Sequence, residues 1–141
     1  MKSRNACLAA MLSVFALTPR ARADDLSGQD RFLCTAVHAM DCTTAGDCRI
    51  EVPWNLNLPQ FLEVDLKGKT VATTRASGEN RMSSIRTVSR ENGEIVFQGF
   101  ENGRAFSFVI EEDTGMASIA IAEEGMTVSV FGACTPMSPG K

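Results

Sequence analysis

The residues best suited to chemistry lie close together early in the chain, as Cys34-x3-His38-x3-Cys42-x5-Cys48, and His38 is the single histidine of the sequence. Thiolate and imidazole groups are good ligands for zinc or copper. On a strand, Cys34, His38 and Cys42 share parity and face one side. Strand residues four apart are separated by about 13 Å along the axis, so one ion reaches all three only if the chain bends sharply or is helical. Zinc spacings usually contain a close Cys-x2–4-Cys pair, and none is present. The favoured reading is therefore two disulfides with His38 as a partly exposed strand residue. A metal or redox site on Cys34, His38, Cys42 and Cys48 is the alternative.

Other motifs resolve towards structure. Asp113-Thr114-Gly115 matches the short motif of aspartic proteases. Those enzymes need two carboxylates sharing a proton, hence two copies of the motif or two subunits. One copy is present, preceded by Glu111-Glu112 rather than an apolar strand end, so a hairpin turn is predicted. A nucleophilic triad would have to use His38, and no Gly-x-Ser-x-Gly elbow accompanies it. No Walker loop or Gly-x-Gly-x-x-Gly occurs. With one histidine, no tyrosine and bridged cysteines, general bases are few, and no catalytic residue or cofactor is expected. Arg75, Arg81, Arg86 and Arg90 surround the Ser77–Asn80 loop and suit either an anionic ligand or, as favoured, a charge-balanced edge strand. Trp54, between Pro53 and Pro59, is read as a plug in one end of the fold, with an exposed anchor for a partner as the alternative.

The first residues differ from the rest. Lys2 and Arg4 precede an apolar run from Ala6 to Leu17, Pro19 breaks it, and Ala21-Arg22-Ala23 offers a small-x-small cleavage site. This is the layout of a secretory signal peptide over residues 1–23, and the run is shorter than the roughly 20 residues needed to span a bilayer. Cys7 leaves with it. The four remaining cysteines, in an exported small domain, imply two bridges. Three pairings are possible; Cys42–Cys48 and Cys34–Cys134 are favoured, the first closing a short loop and the second tying the first strand to the last. The formal charge of -3 becomes more negative on losing Lys2, Arg4, Arg20 and Arg22, which disfavours nucleic acid as a partner.

The elements that must position these residues read as strands. A polar, flexible lead-in is expected over residues 24–31, a single domain over 32–136 and a flexible tail over 137–141. Phe32 to Met40 reads as a strand, with a helix as the alternative. Phe61 to Leu66 alternates, placing Leu62, Val64 and Leu66 on one face. Asn92-Gly93 and Asn102-Gly103 punctuate alternating runs, the strongest short signal for hairpins, and Asp113-Thr114-Gly115 adds a further turn. Turns recur about every ten residues from Lys67 to Gly125, which predicts an all-β antiparallel meander of about seven or eight strands. Such a meander must hide its edges, so it is expected to close or curl into a small barrel stapled by disulfides.

Cys34, Cys42 and Cys48, then Leu58-Pro59-Gln60-Phe61-Leu62-Glu63-Val64-Asp65, Glu101-Asn102-Gly103-Arg104-Ala105-Phe106-Ser107 and Phe131-Gly132-Ala133-Cys134-Thr135-Pro136 together resemble a group of short, uncharacterised exported proteins of proteobacteria. The resemblance spans nearly the whole chain after residue 23. It implies a periplasmic or secreted setting and carries no activity and no functional residues. The closed meander with few catalytic groups leads to the expectation of a non-enzymatic binding module for a small ligand or an envelope protein. A structural or interaction protein of the cell envelope is the rival.

Overall fold

The computed structural model describes residues 24–137; the proposed signal peptide, Cys7 and most of the proposed tail lie outside them. Turn chemistry sets the strand lengths. Asn92-Gly93 and Asn102-Gly103 both adopt positive φ at each residue, the geometry that a two-residue hairpin requires. Nine strands are present among the described residues: β1 (Arg31–Thr43), β2 (Cys48–Glu51), β3 (Phe61–Asp65), β4 (Thr70–Thr73), β5 (Met82–Glu91), β6 (Glu94–Glu101), β7 (Arg104–Glu111), β8 (Met116–Glu123) and β9 (Met126–Pro136).

Eight of them close a barrel. β3 to β9 follow one another as antiparallel neighbours, and β1 pairs with both β3 and β9. One edge of β1 runs along β9 from Phe32 to Thr43. Its other edge is shared: residues 31–35 meet β3 and residues 39–42 meet β2. β2 therefore lies outside the ring. The sequence carries no strand signal there, because only four residues, mostly exposed, provide the pattern.

Alternation fills the interior. Val64 of β3, Ile95 and Phe97 of β6, Phe108 and Ile110 of β7, Ala117 and Ile119 of β8, and Val128 and Val130 of β9 are buried. Phe97 and Phe108 stack with ring centres 4.4 Å apart. Cys34 and Cys134 are direct partners across the β1–β9 seam and are bridged inside the barrel. Cys42 and Cys48 are bridged across the β1–β2 hairpin.

The segment before β1 is not a loose lead-in. Leu26 is 0% exposed and joins the core, its N–H donates to the Glu112 carbonyl at 2.6 Å, and Leu66 N–H donates to the Asp30 carbonyl. Lys67 sits 2.6 Å from the Asp30 carboxylate and holds its pKa below the ordinary 3.8 through that hydrogen bond. One apolar residue in a polar run leaves no periodicity to read, so the plug was hidden in the sequence. Met137, the first residue of the expected tail, is half-buried and donates from its N–H to the Arg31 carbonyl. The N-terminal segment thus fills one end of the barrel. The opposite end carries residues 53–59, the 74–81 loop and the turns after β6 and β8.

Candidate ligand pocket at the open end

Pro53 starts a short 3-10 turn over Pro53–Leu56, with its φ already fixed, and Asn57 ends it in the left-handed region. Pro53 is buried, while Leu56 and Leu58 pack against the core. Residues 53–59 therefore form a strap across the barrel mouth. Two arginines hold it. Arg81 donates to the Asn57 carbonyl at 3.0 Å and Arg104 to the Leu56 carbonyl at 3.4 Å.

Each arginine is also paired with a carboxylate. Arg104 Nε lies 2.6 Å from Glu123 Oε2, and Arg81 Nη2 lies 3.4 Å from Glu101 Oε2 with Glu79 at 3.7 Å. The rim is thus charged but internally neutralised. Thr73 is held in place by accepting from the Arg81 backbone N–H and donating to the Arg81 carbonyl.

Beneath the strap is a cavity of about 80 Å³. Leu58, Leu62, Val71, Phe106, Ile119 and Ile121 provide much of its wall. Ser83 adds a hydroxyl, and Arg81, Glu101 and Arg104 reach it from the rim. Phe106 meets Phe108 edge to face, with ring centres 5.9 Å apart, which fixes the inner wall. Gly99 makes room for that ring: a Cβ there would collide with Phe106 and with the Ser84 carbonyl. The shape thus depends on residues from most of the barrel strands, which no local motif marks. Only the apolar alternation of β3, β7 and β8 pointed to it.

The Cys/His cluster is not brought together as a ligand set. A β-bulge between Ala36 and His38 shifts the register of β1 against β9. Cys34 and Ala36 face inward before it, whereas Ala39 and Asp41 face inward after it. His38 is therefore exposed on the outer face, opposite in sense to Cys34. The parity expected for an uninterrupted strand fails at this one extra residue. Cys34, Cys42 and Cys48 are all consumed in disulfides, and no group of three potential metal-ligating His, Cys, Asp or Glu side chains occurs among the described residues.

Asp113-Thr114-Gly115 forms a turn, in which Thr114 donates to Glu111 and accepts from the Met116 N–H. The arginines expected as a local patch disperse. Arg81 serves the mouth, and Arg90 pairs with Glu112 and donates to the Gln29 carbonyl at the far end. Arg75 and Arg86 are exposed. Trp54 does not plug the barrel; it is 59% exposed on the strap, and its neighbour Pro53 is the buried residue. Among the described residues no helix is long and apolar enough to cross a membrane. Set against known proteins, the chain matches no described family and no curated protein.

Proposed function

We propose that this chain is a non-enzymatic binding module of the periplasm or the secreted space, and that its barrel mouth takes a small apolar ligand. The observation that carries the reading is the apolar hollow under the arginine-held strap, at the one end that the N-terminal segment leaves unfilled. Two internal disulfides support an oxidising compartment, in keeping with the signal-like first 23 residues and the likeness to exported proteobacterial proteins.

The size of the hollow limits the ligand. At about 80 Å³ it lies far below the roughly 300–1,000 Å³ usual for drug-sized sites. A short aliphatic group fits, with its polar end at the rim. Because both rim arginines already have carboxylate partners, a neutral head disturbs the fewest interactions.

The test is a two-dimensional amide NMR titration with a homologous series of short n-alcohols. Saturable shifts should centre on Leu58, Phe106 and Ile121, and Ser83→Leu, which fills the hollow, should abolish them. Shifts that are absent, or that survive Ser83→Leu unchanged, would overturn the reading.

A second reading, an interaction protein of the envelope, is favoured by a different observation. Ile50, Val52 and Trp54 expose apolar side chains in succession at the edge of the molecule.

A further inference from the structure

We infer that the free edge of β2 is a self-pairing surface, and that two copies of this chain join antiparallel about Ile50. The inference begins with where the backbone groups of β2 point. Thr43 N–H donates to the Asp47 carbonyl at 3.0 Å, which makes 43 and 47 a hydrogen-bonded pair. Antiparallel pairs alternate, so 41/49 and 39/51 are hydrogen-bonded and 42/48 and 40/50 are not. The N–H and C=O groups of Cys48 and Ile50 therefore face away from β1. Among the described residues no other strand lies along that side. By the same alternation the Val52 N–H faces it too, whereas the Val52 carbonyl accepts from Asn55 N–H at 3.0 Å.

This edge is short and carries two charges, Arg49 and Glu51, but residues 48–51 contain no proline, lysine or bulge to block pairing. Ile50 is 82% exposed, and its partner on β1, Met40, is also exposed. The Cys42–Cys48 bridge fixes the hairpin in advance, which lowers the ordering cost of pairing.

The charges select the partner. In an antiparallel pair centred on Ile50, Arg49 stands opposite Glu51 of the second copy, twice by symmetry. A register centred on Arg49 or on Glu51 would place like charges opposite one another. Both side chains have capacity left. Arg49 uses Nη2 for Asp41, and Glu51 uses Oε2 for the Asn55 amide. The two Ile50 residues exchange N–H···O=C bonds, each Val52 N–H meets the opposing Cys48 carbonyl, and the Ile50 side chains meet on the outer face between the two Met40 residues. The result is a continuous sheet, β1–β2 of one protomer with β2–β1 of its partner.

The experiment combines sedimentation equilibrium on the disulfide-intact protein with amide hydrogen exchange at several protein concentrations. A reversible monomer–dimer equilibrium is expected, with protection of the Ile50 and Val52 amides rising with concentration while the amides of Arg49 and Glu51, bonded to β1, stay constant. Ile50→Pro removes a donor that β1 does not use, and Glu51→Arg turns both cross-strand ion pairs repulsive; each should weaken the dimer by about tenfold or more. Glu51→Arg keeps the backbone and gives up only the Asn55 amide contact within the protomer, and it serves where the proline perturbs folding. A protein that stays monomeric at high micromolar concentration, Ile50 protection independent of concentration, or an undiminished dimer in Glu51→Arg would overturn the proposal.

Discussion

Asp41 lies in the barrel wall, 1% exposed, with one carboxylate oxygen 3.0 Å from Arg49 Nη2 and the other buried without a hydrogen-bond donor. Arg49 itself is 65% exposed, and the hydrogen bond to Asp41 raises its already high pKa. Removing the arginine leaves a buried charge with no partner, which is costlier than losing a surface pair. Arg49→Ala should therefore lower the urea-denaturation midpoint by more than the loss of a surface ion pair would. Combining it with Asp41→Asn should recover much of the loss, because the charge that needed a partner is gone. None of this was legible in the sequence. Asp41 read as one more polar residue beside Cys42, because the bulge that turns it inward has no residue signature. The same bulge moved His38 to the outer face and dissolved the apparent ligand set. Trp54 fails as a plug for a related reason: a tryptophan between prolines announces an irregular segment without saying which of its side chains turns inward.

At the scale of elements, the strands that alternate strictly were legible and the pieces that close the barrel ends were not. β3 and β6 to β9 each carry a period of two and are bounded by turns, so pattern and structure agree. The N-terminal segment has one apolar anchor, Leu26, in a polar run. Its position depends on Glu112, which is distant in sequence. Leu26→Ala should cost about 2–5 kcal/mol, the range for truncating a buried leucine whose site collapses only partly. Thermal unfolding would measure it, and exchange of the Leu26 and Leu66 amides should accelerate with it. An unchanged midpoint would mean that the segment lies on the barrel without sealing it. β2 is the complementary case: too short to announce itself, yet held in place by the Cys42–Cys48 bridge.

For the whole molecule, closure into a barrel followed from the number of strands and the need to hide edges, whereas the strap and pocket arise only when separate strands meet. The seam is the junction of β1 with β9, bridged by cysteines 100 residues apart. On the chain-entropy account a loop of that length is worth about 4–5 kcal/mol, against about 2 kcal/mol for the short Cys42–Cys48 loop. Replacing Cys34 and Cys134 by alanine should consequently lower stability by about 2 kcal/mol more than replacing Cys42 and Cys48, as read by denaturant unfolding with each variant's own slope. Equal losses would place the strength of the seam in its hydrogen-bond ladder instead. That ladder also governs the order of events. β1 emerges first, but the partner for its full-length edge is the last strand made, so contact order is high and closure is slow. The barrel therefore stays open until β9 has been made, and a chain ending before β9 leaves β1 without a partner along its longest edge.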